Sequence, residues 1–213
     1  MLRIIMHSLV IVVTAIACVH FGVSVSLCTN SFGDHFEGGE CFATNLNSLS
    51  NGIAKNESTF KDPEIKEWHF HVYWFQNNRN QKEAALRIRS ELIEHVRKKD
   101  FIVVLDGVGT EILPKLNVSN VPPINNGPRG PHPIGSYEVW TPKESIAKAL
   151  SYFMRRRGSL SILLHPLTMH TVQDHTGRAM WLGKSFNLDL SVLCEDCHED
   201  KSQYPELGLG YSA

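Results

Sequence analysis

The sequence lacks a charge excess of either sign, and it lacks a long apolar run after its first 26 residues. Its 21 Lys and Arg residues balance 22 Asp and Glu residues, for a net charge of −1. That balance gives no sign of a nucleic-acid partner or of an anionic membrane surface. After residue 26, no stretch reaches the roughly 20 apolar residues that cross a bilayer. The composition, 42% hydrophobic and 20% charged, is that of a globular protein with one core.

The first 26 residues predict a secretory signal peptide that is not part of the fold. A short positive start precedes the apolar run 4–19, and Ser24-Val25-Ser26 supplies the small residues that suit cleavage. His7 and His20 interrupt the apolar character, which makes an uncleaved membrane anchor the weaker alternative. We therefore expect a protein that is secreted or resides in the secretory lumen, with no membrane contact after cleavage.

Cysteines and glycosylation sequons agree with an oxidising compartment. Cleavage would leave an even number of cysteines, as disulfides require, with three pairings open. Cys194 and Cys197 also have the spacing of a c-type haem attachment or of part of a zinc site, but two disulfides are the simpler interpretation. The residues concerned are Cys28, Cys41, Cys194 and Cys197 for disulfides, and Asn56 and Asn117 for glycosylation.

Composition divides the rest of the chain into three parts. Residues 27–65 are rich in Asn, Ser and Gly without any period and predict a flexible leader. Residues 66–195 predict the folded domain, and residues 196–213 predict a C-terminal tail.

Periodicity within the domain predicts five strands and two helices. Aromatic and β-branched alternation marks the first strand, and a Thr-x-x-Glu capping box from Thr141 to Glu144 opens the second helix. The order strand, helix, strand, strand, helix, strand is typical of an α+β, ferredoxin-like split βαβ sheet with both helices on one face, here with an extra strand. The predicted strands are 67–75, either 101–105 or 111–118, 135–141, 159–166 and 186–193, and the helices are 81–98 and 142–157.

Histidines fall on the sheet face that the helices leave open. There are eleven in the chain. Strand alternation places His69, His71 and Tyr73 opposite the apolar set of the first strand. By the same alternation, Glu138 and His165 lie opposite the apolar residues of their own strands. These side chains are therefore expected to converge.

A proline-held loop adds a further histidine. His132 lies between Pro131 and Pro133, whose rings fix the backbone, so it can close over the open face. Imidazoles with a carboxylate form the site of non-haem Fe(II) oxygenases, and the alternative is a solvated or structural set of histidines. The candidate metal ligands from strand alternation and this loop are His69, His71, His132, His165 and Glu138.

Five motifs resemble the DOPA 4,5-dioxygenase family. They are HFHVYW at 69–74, GPRGPHP at 127–133, SLSILLHPLT at 159–168, DHTGRAMWLG at 174–183 and LDLSVL at 188–193. The resemblance covers residues 67–193 in order and implies a small ferredoxin-like protein that cleaves a catechol ring outside its two hydroxyls with divalent iron. By position it implies a metal site at His71, His132 and His165, with His69 and His175 as nearby acid/base residues. The chain departs from the family pattern at Met169-His170-Thr171, where we expect a Gly and acidic residues.

The resulting functional hypothesis is an extradiol catechol dioxygenase that uses O₂ and Fe(II), with another divalent metal as the alternative ion. Asp174 is expected either to orient His175 or only to cap the short segment that leads to Trp181, with His175 exposed beside it. Arg129 and Tyr73 are the candidate residues for binding a small catecholic or phenolic substrate, and a solvated loop arginine is the alternative for Arg129. The competing hypothesis is a secreted, non-catalytic protein of the same fold that binds metal or a phenolic ligand. Oligomeric state is left open, with a homodimer as one option.

Overall fold

A computed structural model describes residues 63–195 and 201–213. The predicted signal peptide and nearly all of the predicted leader lie outside the described residues, and the predictions made on them stay predictions. No helix in the described part of the chain is long and apolar enough to span a membrane. Three of the predicted disulfide cysteines and one predicted glycosylation site also lie outside the described residues: Cys28, Cys41, Cys197 and Asn56.

One antiparallel sheet of five strands forms the centre of the domain, in the order β2-β3-β1-β4-β5. Helices α1 and α2 make the two connections from β1 to β2 and from β3 to β4, and a short helix α3 precedes β5. Because β3 lies between β1 and β2, the first βαβ unit is split, which confirms the ferredoxin-like prediction with its extra strand. The elements are β1 Glu67–Trp74, α1 Arg79–Arg97, β2 Val104–Leu105, β3 Gly135–Pro142, α2 Ile146–Arg156, β4 Ser161–Pro166, α3 Thr171–His175 and β5 Met180–Leu182.

Both long helices cover the same face of the sheet. The side chain of Asn78 caps α1 by accepting from the backbone N–H of Gln81, which satisfies one of the free amides at the start of the helix. The apolar stripes of both helices are buried against alternate residues of the strands. The shared core includes Phe70, Val72, Ala85, Ile88, Leu92, Val96, Val139, Ala149, Phe153, Leu160, Ile162 and Leu164.

The strand register places the histidines together on the other face. His69 pairs with Trp140 of β3 and His165 of β4, while His71 pairs with Glu138 and Leu163. Directly opposed residues of antiparallel strands lie on the same face with their Cβ atoms close together. Register alone therefore brings two histidines of the central strand next to a third on its neighbour.

Two predicted boundaries are wrong. Thr141 and Pro142 do not open a helix, because they continue β3 and pair with Trp68 and Glu67 of β1. The helix begins at Ile146 with Ser145 as its N-cap. Pairing with the central strand outweighs the local capping signal.

The predicted fifth strand at 186–193 is also wrong, since the extra strand is β5. Leu190–Val192 form a single 3₁₀ turn, and the Asp189 carboxylate accepts from the Ser191 amide at 3.2 Å. Such side-chain bonds to nearby backbone compete with strand pairing. Of the two candidates for the second strand, the one at 101–105 contains β2, whereas 111–118 is turns and irregular chain.

The C-terminal segment, which is residues 201–213, packs against the domain. Tyr204 is fully buried, and its ring meets the Trp140 ring edge-on at 5.2 Å. The fully buried Glu67 carboxylate accepts from two backbone amides of this segment, that of Gln203 at 3.0 Å and that of Tyr211 at 3.1 Å. The described part of the predicted tail therefore covers one end of the histidine face.

Candidate metal centre

Five histidines form one cluster on the open face of the sheet. They make two groups of potential ligands that share His71, and within each group the ligand atoms lie within 4.8 Å of one another. One group is His69, His71 and His165, and the other is His71, His132 and His175. We call these five residues the histidine cluster. His132 and His165 were predicted as ligands of one ion, but the structure places them in different groups around His71.

His71 and His165 face each other through their Nε2 atoms. Their Nε2 atoms are 3.1 Å apart, and two nitrogens bound about 2.1 Å from one ion at right angles would be about 3.0 Å apart. The Nδ1–H of His165 donates to the carbonyl oxygen of Pro166 at 2.7 Å. This bond leaves the lone pair of His165 on Nε2, where it faces His71, so the pair fits a metal ion.

His132 reaches the cluster from the loop before β3. Its backbone exchanges two hydrogen bonds with Arg129, at 3.0 and 3.1 Å, which closes the turn around Gly130 and Pro131. Its Nδ1 lies 2.6 Å from the hydroxyl oxygen of Tyr73. Tyr73 therefore contacts a candidate ligand directly, in addition to any contact with substrate.

His175 ends helix α3, and its ring centroid is 3.9 Å from that of His165. Its Nδ1–H donates to the Thr171 carbonyl at 2.8 Å, which leaves Nε2 as the basic nitrogen. The expectation that Asp174 orients this ring is wrong, because the buried Asp174 carboxylate instead accepts from the Thr168 amide at 2.7 Å and from Arg178 at 3.0 Å. Asp174 thus fixes the segment after β4, and the helix backbone orients His175.

Burial keeps most of the cluster in the neutral form. It lowers the pKa of His71 and His165 well below the usual range, and the neighbouring imidazoles lower both further. Burial also lowers the pKa of His132 to about 3 and lowers the pKa of His175. Neutral imidazole is the form that binds a metal ion. The donor set can therefore hold a metal ion at neutral pH without first losing protons.

His69 differs from His71 and His165 because its Nε2 faces side-chain oxygens rather than another imidazole. It lies 3.1 Å from a carboxylate oxygen of Glu138 and 2.5 Å from the side-chain oxygen of Gln203. Glu138 was predicted as a metal ligand, yet neither of the two ligand groups contains it. Gln203 was not predicted at all, since nothing local in the sequence distinguishes it from other residues of a tail.

Aromatic side chains line the cluster next to Tyr73. The Tyr73 ring lies 5.4 Å from that of Trp181 and 5.5 Å from that of Phe186, which makes an apolar wall suited to a planar ring. Arg129 is exposed in the His132 loop, and its predicted role in substrate binding stays a prediction. His95 lies on α1, where it pairs with Asp100 at 2.7 Å, away from the cluster.

Known proteins resemble this chain over the same region. The Dopa 4,5-dioxygenase family pattern matches residues 68–192. A DOPA 4,5-dioxygenase from Amanita muscaria is 43% identical over 155 residues, which is 73% of this chain and 61% of that protein. An uncharacterised 21.2 kDa protein from Botryotinia fuckeliana is 32% identical over 132 residues, 58% of this chain and 61% of its own length. The chain thus matches less than two thirds of the length of both relatives.

One solved structure is also similar. It is a Nostoc punctiforme protein described as a candidate dioxygenase, 29% identical, with 60% of this chain and 90% of that chain covered and a TM-score of 0.47.

Proposed function

Since the chain belongs to the Dopa 4,5-dioxygenase family, we propose that it is a metal-dependent dioxygenase that cleaves a catechol ring beside its two hydroxyls. The observation that carries the proposal is the histidine cluster, with the Nε2 atoms of His71 and His165 facing each other at 3.1 Å. Fe(II) is the proposed ion, because imidazole suits iron and an oxygenase needs open positions for its substrates. DOPA or a similar small catechol is the proposed substrate, with O₂ as co-substrate.

His71 is the proposed central ligand because both ligand groups contain it. His165 and His132, one from each group, are the other two proposed ligands. Their Nδ1 atoms are engaged by the Pro166 carbonyl and the Tyr73 hydroxyl. Such outer partners fix the tautomer and the ring orientation of a ligand. When bound, the ion would act as Lewis acid and template for catechol and O₂.

The acid/base role is assigned to His69, and His175 is the second candidate. Nε2–H of His69 faces the Glu138 carboxylate at 3.1 Å, which would stabilise the positive charge that develops when Nδ1 takes a proton from a catechol hydroxyl. The aromatic wall of Tyr73, Trp181 and Phe186 would bind the flat ring of the substrate beside the cluster. Arg129 keeps its proposed role as a partner for a substrate carboxylate.

The test begins with protein loaded with ferrous iron without oxygen and then supplied with DOPA and O₂. We expect catechol-dependent O₂ uptake and a coloured ring-opened product, and we expect His71→Ala to abolish both. His95→Ala is the matched control because His95 lies outside the cluster. Full ferrous occupancy without turnover on a panel of catechols would contradict the enzyme and favour a metal- or phenol-binding protein of the same fold.

Secretion is proposed on the first 26 residues and on the even number of cysteines that follow. Glycosylation at Asn56 and Asn117 and disulfides among the four cysteines belong to the same proposal. Asn117 is exposed and begins a turn at Val118–Asn120, as an acceptor site requires. N-terminal sequencing of protein from a secreting host should give a start near Leu27, and a retained Met1 on membrane-bound protein would contradict the proposal.

A further inference from the structure

The C-terminal segment is held in place by the buried carboxylate of Glu67. Besides the Gln203 and Tyr211 amides, Glu67 accepts from the Trp140 indole N–H at 2.6 Å. The segment also donates from the Tyr211 hydroxyl to the Leu167 carbonyl at 2.8 Å. Three donors on one buried carboxylate make a strong anchor, because bonds to a charged acceptor are stronger than bonds between neutral groups. The position of Gln203 is therefore fixed through its backbone.

The anchored segment places the Gln203 side chain between two site residues. Its Nε2 is 3.0 Å from an Oε1 of Glu138, and its Oε1 is 2.5 Å from the Nε2 of His69. The carboxylate of Glu138 only accepts, so the amide N–H₂ must face Glu138 and the amide oxygen must face His69. The amide oxygen in turn requires a proton on His69 Nε2.

His69 therefore carries its ring proton on the opposite nitrogen from His165 and His175. His165 and His175 have Nδ1–H bound to a carbonyl oxygen and their lone pair on Nε2. In His69 the proton is on Nε2, where both Gln203 and Glu138 accept, and the lone pair is on Nδ1. Distances alone place His69 in a ligand group with His71 and His165, but its hydrogen bonds give it a different basic atom.

We propose that Gln203 is a positioning residue that holds His69 as the Nε2–H tautomer against Glu138 and leaves Nδ1 as the basic nitrogen. The C-terminal segment is then part of the active site, because it supplies the group that orients the proton acceptor. The inference rests on the proposed function for the role of His69 in proton transfer. The tautomer itself is independent of turnover and can be measured without it.

The experiment compares Gln203→Ala with Ser202→Ala in the full chain. Ser202 is the neighbouring residue, and its buried hydroxyl has no hydrogen-bond partner among the described residues, so its loss should leave the site unchanged. Gln203→Ala keeps the backbone bond to Glu67 and should fold. Three quantities are measured in each variant: the His69 ring nitrogen shifts by NMR, the zinc affinity by competition with a chelator, and the catechol-dependent O₂ uptake after iron loading.

We expect the wild type and Ser202→Ala to show one Nε2–H tautomer for His69. In Gln203→Ala the Glu138 carboxylate also loses the amide donor that holds it beside His69. We therefore expect a mixture of tautomers with a water-broadened ring N–H signal, an unchanged zinc affinity, and O₂ uptake lowered about 100-fold, the low end of what a positioned base contributes. An unchanged tautomer in Gln203→Ala would overturn the proposal. A tautomer shift accompanied by a loss of zinc affinity would overturn the proton-transfer role of His69, since His69 would then act as a metal ligand through Nδ1. A tautomer shift in a protein that turns over no catechol would support the positioning role and refute only the proposed function.

Discussion

Removing the Tyr73 hydroxyl should weaken metal binding although Tyr73 is not itself a predicted ligand. The hydroxyl oxygen lies 2.6 Å from Nδ1 of His132, and both side chains are buried. Burial raises the pKa of Tyr73 and lowers the pKa of His132 to about 3, so both groups are neutral at neutral pH. For His132 to present Nε2 to a metal ion, its Nδ1–H must donate to the Tyr73 oxygen. In Tyr73→Phe that donor has no partner among the described residues.

The expected magnitude has two parts. Loss of an outer partner of a metal-binding histidine lowers metal affinity about 10- to 100-fold. The unsatisfied buried N–H should also lower the free energy of unfolding by about 1–3 kcal/mol. The phenylalanine ring keeps the packing against Trp181 and Phe186, so no cavity term is added.

Tyr137→Phe is the matched control. Its hydroxyl is equally buried and donates to the Ala85 carbonyl at 3.0 Å, on the helix face of the sheet. Its loss should lower the free energy of unfolding by about 1 kcal/mol and leave metal affinity unchanged. Urea unfolding and competitive zinc titration at neutral pH measure both quantities. Unchanged or tighter zinc binding by Tyr73→Phe would refute the reasoning, because Tyr73 would then donate to Nδ1 and favour the tautomer that cannot bind.

Three further predictions concern the histidine cluster and the C-terminal segment. His71→Ala and His165→Ala should each lower zinc content sharply, whereas His95→Ala should not, and equal zinc content in all three would mean that the cluster is structural. Metal-free protein should lose stability as the pH falls below about 6.5: burial lowers the pKa of four cluster histidines, so the unfolded chain binds more protons there. The slope, up to about 1.4 kcal/mol per pH unit for each histidine, is measured by urea unfolding from neutral to acid pH, and a flat profile would contradict it. Gly210→Ala should lower the thermal unfolding temperature more than Gly208→Ala. Both glycines have positive φ, but only a Cβ at position 210 would meet the Glu67 carboxylate, at 2.5 Å. Equal losses in the two variants would contradict the docking of the C-terminal segment.

The parts of the site that could be predicted from the sequence are those determined by strand alternation. His69 and His71 are two residues apart on one strand, and the apolar alternation of Leu160, Ile162 and Leu164 determines which face His165 occupies. Both facts need only the two-residue period of a strand. The boundaries that failed, at Thr141 and at 186–193, lie where tertiary pairing or a side-chain turn opposes the local signal.

Contacts made across the chain could not be predicted in this way. Gln203 lies 134 residues from His69, and its position depends on a buried carboxylate that has no local signature. The partner of His175 was missed for a different reason. The adjacent Asp174 was the predicted partner. In the helix, however, the carbonyl of Thr171, four residues earlier, accepts from His175 Nδ1–H, and the Asp174 carboxylate accepts from the Thr168 amide instead.

The register of β1 and β4 that forms the apolar core also assembles the metal centre. A change that disrupts the histidine geometry through this register must therefore also disrupt the core. A slip of β4 by one residue against β1 would turn His165 toward the helices and expose Ile162 and Leu164 on the other face. The apolar burial that prevents this slip therefore also holds the distance between His71 and His165. A metal ion that binds only the folded chain would stabilise that register further by mass action. Core variants on the helix face should consequently weaken metal binding only as far as they loosen the pairing of β1 and β4.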